Sequence, residues 1–172
     1  SESVAGARPG DIAADSSGNV IVAGDVSSIP FSGETCTNSG GGELYVQKYA
    51  ASDLTSPSWT RLLCTTGDDE ATDVKTDSSG NIYVLGWTTG AFPDETNAGF
   101  RDIVVAKYDS AGTLQWIDQT GTSGYEFPDA IEVDSYGYIY VSGYTDGAFS
   151  GYTNQGAEDV FLLKYSPAGS LL

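Results

Sequence analysis

Short runs in which apolar and polar residues alternate recur along the whole chain, and no segment shows the three-to-four spacing of an amphipathic helix. "NIYVLG" (81–86) and "YIYVSG" (138–143) alternate around branched and aromatic residues, which predicts half-buried strands. Each follows a polar turn opened by aspartate: "DSSGN" at 77–81 and "DSYGY" at 134–138, with a third "DSSGN" at 15–19. Asp and Ser side chains bond nearby amides and Gly accepts positive φ, so a tight turn is expected at all three places. "DVKTD" (73–77) and "AIEVD" (130–134) lead into these turns as strands. A later strand ends in Lys-Tyr in "YVQKYA" (45–50), "VVAKYD" (104–109) and "FLLKYS" (161–166). After "DSAGT" (109–113) a further strand carries Trp116, and Trp59 holds the matching place earlier in the chain.

The pattern is therefore a repeat. Asp15, Asp77 and Asp134 follow one another at spacings of 62 and 57 residues, and Lys48, Lys107 and Lys164 fall in equivalent positions. "TTGAFPDETNAGFRD" (88–102) and "TDGAFSGYTNQGAED" (145–159) are nearly the same loop. Four antiparallel strands at such a period predict an all-β chain of β-propeller blades. About three blades are expected: 1–70, with the end of a preceding fourth strand at its N-terminus; 71–126; and 127–172, lacking its fourth strand. A lone blade cannot bury both faces, and propellers start at four blades, so the reading implies part of a larger or oligomeric propeller. The expected partners are further copies of the chain or further blades of a longer one.

The unit "DSSGNIYVLGWTTGAF…DIVVAKYDSAGTLQWIDQTGT" resembles the bacterial and archaeal β-propeller repeat of the SBBP type, over nearly the whole chain from about Pro9. The resemblance implies blade-like sheets in secreted or surface proteins, mostly without an assigned activity. The first copy departs from the pattern in its long loop "SSIPFSGETCTNSGGGE" (27–43) and in "KYAASDLTSPSW" (48–59), and the third in "SYGYI" (135–139). "KYDSAGTLQW" (107–116) is also similar to the docking motif that ties blades together in quinone-dependent alcohol dehydrogenases, which implies interblade packing for the tryptophans.

Charge and composition narrow the function. Seven basic against 24 acidic residues give a net charge of −17, which opposes nucleic acid and anionic membranes, and no apolar run is long enough to insert in a bilayer. There is no histidine, so neither a Ser-His-Asp or Cys-His site nor an imidazole-bound zinc can be built. The expectation is no enzyme. Cys36 and Cys64 fit one disulfide of an extracellular, secreted chain; two buried thiols are the alternative. The chain begins at Ser1, as a processed or excised product would.

Loops from fourth to first and from second to third strands gather on one face of a propeller, and there the acidic residues collect. Asp68, Asp69, Asp73, Glu126 and Asp129 are candidate Ca2+ ligands, although no stretch follows the D-x-[DN]-x-[DN]-G spacing. Asp102 and Asp159, like Asp15, Asp77 and Asp134, read as turn or amide-bonding residues. The lysines are expected to lay their stems on the blades and reach acidic neighbours. Phe92 and Phe149 read as loop anchors, while Trp87, Tyr125 and Tyr144 are candidate contacts for glycans or surface proteins, with Phe127 in the same region. Three functions stay open: a non-catalytic structural or self-assembling surface module, a calcium-dependent carbohydrate- or protein-binding adhesion domain, and a glycosidase- or lyase-type propeller enzyme.

Overall fold

A computed structural model describes residues 6–27, 36 and 41–172. The expected remnant of a preceding fourth strand lies in residues 1–5, outside the described part. Among the described residues eleven strands follow in order: β1 (Ala7–Ala14), β2 (Val20–Val26), β3 (Glu43–Tyr49), β4 (Trp59–Leu63), β5 (Asp69–Thr76), β6 (Ile82–Thr88), β7 (Asp102–Tyr108), β8 (Leu114–Thr120), β9 (Glu126–Val133), β10 (Ile139–Thr145) and β11 (Asp159–Tyr165). They form three antiparallel meanders, β1-β2-β3-β4, β5-β6-β7-β8 and β9-β10-β11, with no helix among the described residues. These are blades 1, 2 and 3. In the last, an isolated bridge between Tyr165 and Leu171 stands where a fourth strand would start.

The turns form for the reason the sequence suggests. Asp15 Oδ1 accepts the amides of Ser17 and Asn19, both at 2.9 Å, and Asp77 and Asp134 repeat the arrangement at 2.8–3.0 Å. The following Gly18, Gly80 and Gly137 take φ of 79°, 78° and 83°, the left-handed region that other residues avoid. The lysines diverge from expectation. Lys48 pairs with Asp15 at 3.0 Å, but Lys107 lies over the Tyr83 ring and Lys164 over the rings of Tyr138 and Tyr140. The cause is the residue across the strand: Ile21 faces Lys48, whereas Tyr83 and Tyr140 face the other two. Those tyrosine hydroxyls donate to Asp77 and Asp134, taking the carboxylate oxygens and leaving the amines the ring faces.

Blades stack face to face over two apolar layers. Ile21, Ala23, Leu44 and Val46 of blade 1 meet Ala71, Val74, Ile82, Val84, Val104 and Tyr108 of blade 2. Tyr83, Leu85, Ile103 and Val105 of blade 2 meet Ile131, Ile139, Val141, Phe161 and Tyr165 of blade 3. Specific grips reinforce each layer. Trp59 lies under Gly112 of the next blade and Trp116 under Gly169, where an added Cβ would stand 2.8 and 2.5 Å from the indole. The tryptophans thus pack between blades, as their matching places imply. Arg61 Nε donates to Gly112 O at 2.7 Å, and Lys48 Nζ donates to Ser110 O at 3.2 Å. On the first strands, Ile131 N donates to Asp73 at 2.9 Å and Val74 N reaches Asp11 at 3.4 Å.

Candidate functional site

The loops entering each first strand and leaving each second strand share one face, and its frame is built by buried carboxylates. Asp69 opens β5 with 1% exposure and Glu126 opens β9 with none. Asp69 accepts Thr65 N at 2.6 Å and Thr65 Oγ1 at 2.9 Å; Glu126 accepts Thr122 N at 2.9 Å, Thr122 Oγ1 at 2.6 Å and Thr145 Oγ1 at 2.8 Å. Each carboxylate therefore closes the loop that delivers its own strand. Burial pushes the Asp69 carboxyl up to about 6 despite these hydrogen bonds, with the neighbouring Asp68 charge adding to the rise.

The other candidate ligands stand elsewhere. Asp68 is exposed and takes Gly42 N at 3.1 Å, tying the long loop of blade 1 to the start of blade 2. Asp73 is buried, held by Lys75 Nζ at 2.6 Å and by Ile131 N. Lys75 also lies 3.6 Å from Asp11, so an Asp-Lys-Asp bridge spans the first strands of blades 1 and 2. Burial pushes the Asp73 carboxyl up, as does its contact with Asp11, whose own carboxyl is held down. Asp129 is exposed in the β9 bulge, between Pro128 and Ala130 in the register. Among the described residues, the group of three acidic or thiol side chains whose ligand atoms lie within 4.8 Å of one another is instead Cys36, Glu43 and Cys64. The two cysteines form a disulfide with Cα atoms 5.9 Å apart, fixing the long loop of blade 1 to the end of β4. Asp102 and Asp159 accept the amides of Ala98 and Gln155, at 2.8 and 2.7 Å.

The aromatic candidates do converge, together with two residues the sequence did not single out. Phe100, Tyr125, Phe127 and Tyr144 stack in series, with ring centroids 5.0, 6.2 and 4.6 Å apart and interplanar angles of 10°, 23° and 12°. Phe100 is 62% exposed and Tyr125 39%. Arg101 lays its guanidinium on Trp87, 3.6 Å from the ring centroid, and lies 5.1 Å from that of Phe127. Its Nε is buried without a hydrogen-bond partner, and the stacked ring together with the charge of Glu70 supports the guanidinium. Phe100 and Arg101 sit at the end of a loop whose third-blade counterpart carries Glu158, and repetition alone could not flag them. The loop anchors behave as read: Phe92 is 4% exposed, and Phe149 meets Phe161 edge-on at 5.6 Å.

Beside Trp87, between blades 1 and 2, opens a cleft of about 430 Å³, lined among others by Arg8, Asp25, Ser27, Asp68, Glu70 and Trp87. The register shows what is unusual about this spot. Arg8 faces Asp25, Glu70 faces Trp87, and Phe127 faces Tyr144 at one equivalent cross-strand position in the three blades. Adjacent frame positions repeat (Gly24, Gly86 and Gly143 all abut the opposite strand's main chain), while this pair changes completely from blade to blade.

Stacked antiparallel meanders with Trp-Gly grips between neighbours define the class: these are blades of a β-propeller. Residues 58–93 and 115–150 each match the family model of the SBBP beta-propeller repeat, so the chain carries that repeat. Both matches run from a fourth strand through the next first and second strands, across the blade junctions. No curated protein matches the chain.

Proposed function

We propose that this chain is a non-catalytic, extracellular structural module that assembles through the flanks of its blades, with a second copy as the neighbour. One observation carries the reading. Leu44 and Val46 of β3, and Ile103 and Val105 of β7, are at most 1% exposed because the next blade covers them; Val160 and Leu162 hold the same positions in β11 and are 86% and 72% exposed. On the opposite flank Ile12 is 63% exposed, where its equivalents Val74 and Ile131 are fully buried. The two flanks are thus the two halves of one kind of junction, and head-to-tail contact would cover both. Covering each aliphatic side chain contributes about 1.5–3 kcal/mol. Two chains closed this way make six blades, within the span of known propellers. The disulfide supports an extracellular setting, and the carboxylates of Asp69, Asp73 and Glu126 serve loop closure and interblade bonding.

The test is native mass at micromolar concentration. Twice the chain mass is expected for the unaltered protein, and the single-chain mass for Val160→Asp and Leu162→Asp, whose side chains have little to lose within one chain. A monomeric unaltered protein overturns the proposal.

A further inference from the structure

The cleft beside Trp87 is independent of the flanks just described, because it opens on the loop face. Its charged residues differ from the acids of the frame. Asp15, Asp69, Asp73, Asp77, Asp102 and Glu126 all accept main-chain amides. By contrast the side chains of Arg8, Asp25 and Glu70 meet no hydrogen-bond or close ion-pair partner among the described residues and feel charge only at longer range, Arg8 acting on both carboxylates and Arg101 on Glu70, although Asp25 and Glu70 are partly buried. Burial pushes both carboxyls up, and for Glu70 the nearby Asp25 adds to the rise. Partly dehydrated carboxylates that meet their cations only at a distance, beside an aromatic wall in a cleft of about 430 Å³, keep their oxygens open to a small ligand's hydroxyls.

From this geometry we infer that the cleft binds a neutral saccharide, with Trp87 as the stacking platform, Asp25 and Glu70 as hydroxyl acceptors and Arg8 as donor. Each role has a physical basis. A sugar presents an apolar C–H face suited to an indole and a rim of hydroxyls that both donate and accept. Trp87 is held in place by Arg101, stacked 3.6 Å away, so the platform is rigid before the ligand arrives. The lining carries Asp25, Asp68 and Glu70 against Arg8, and the chain a net charge of −17, so an anionic sugar is repelled while a neutral one is not. The blade-to-blade change at this cross-strand position gives the cleft a chemistry that the equivalent place in blade 3, Phe127 facing Tyr144, does not share.

Saturation-transfer NMR with the intact chain tests this, using cellobiose, lactose, chitobiose and mannobiose as neutral probes and digalacturonate as the acidic one. At least one neutral disaccharide should bind saturably. Glu70→Gln and Trp87→Ala should each weaken it at least tenfold, while Tyr152→Ala, at a residue 80% exposed and outside the cleft lining, should leave it unchanged. Glu70→Gln keeps the side chain's shape and guards against a folding defect in the tryptophan variant. No binding of any neutral probe at millimolar concentration, binding of digalacturonate alone, or neutral binding that neither variant weakens would each overturn the assignment. The flank variants Val160→Asp and Leu162→Asp should bind as the unaltered chain does, which separates failure here from failure of the assembly reading.

Discussion

Asp69 offers the sharpest quantitative prediction. Its carboxyl is 1% exposed at the junction of blades 1 and 2 and is pushed from an ordinary value of 3.8 up to about 6. A raised value in the fold means that the native state prefers the protonated acid more than the unfolded chain does. The associated stability is fully present below pH 3.8 and is lost as pH rises through about 6. At 1.36 kcal/mol for each tenfold change in the acid constant, the loss between pH 4 and pH 8 is on the order of 3 kcal/mol. Asp69→Asn removes the titration and keeps a carbonyl oxygen for Thr65 N, which donates to Asp69 at 2.6 Å. The assay is urea unfolding of both proteins, followed by tryptophan fluorescence, at half-unit steps from pH 4 to pH 8. The stability of the variant relative to the unaltered chain should climb by roughly 3 kcal/mol across that range, most steeply near about pH 5, midway between the unfolded and folded values, and level off above about pH 7. Because the comparison is a difference between two proteins, titrations shared by both, including those of Asp15 and Asp73, cancel. A difference that stays flat, or that declines with pH, refutes the claim that burial dominates over the threonine hydrogen bonds at this site.

Two further outcomes follow from the grips and the crosslink. Gly112→Ala should lower stability by at least about 1–2 kcal/mol, because φ of 80° disfavours any side chain and the new methyl meets Trp59; thermal unfolding of the two proteins reads it directly. Reduction of the Cys36–Cys64 bond, which closes 28 residues, should cost about 3–4 kcal/mol, seen as a lower urea midpoint after dithiothreitol, and unreduced unfolded protein should show no free thiol.

The strands and turns were legible in the sequence because the forces that make them are local. Alternation sets which side chains face the sheet, and the aspartate turns need only residues two and four places on, so Asp15, Asp77 and Asp134 could be read in advance. The contrast among the lysines was hidden, because it depends on the residue opposite in the register, Ile21 or a tyrosine. Interblade bonds such as Asp73 to Ile131 N, 58 residues apart, arise only when finished sheets stack. Trp87, Tyr125 and Tyr144 were found as aromatics near loops, yet their grouping rests on Phe100, Arg101 and Phe127, brought together by neighbouring blades. Proximity along the chain likewise suggested one cluster of acids where the fold disperses Asp68, Asp69 and Asp73 to separate tasks.

The direction of the interblade grips has an architectural consequence. Lys48, Trp59 and Arg61 reach forward from blade 1 to main chain or glycine of blade 2, while on the first strands Thr76 Oγ1 of blade 2 reaches back to Ala14 O at 2.9 Å and Lys75 to Asp11. On the third and fourth strands the demand for particular side chains thus falls mainly on the leading blade, which grips backbone or glycine of the follower. Hooks that mostly aim at backbone make growth by tandem duplication permissive: a copied unit brings its own hooks and can be hooked in turn, leaving its loop face free to diverge.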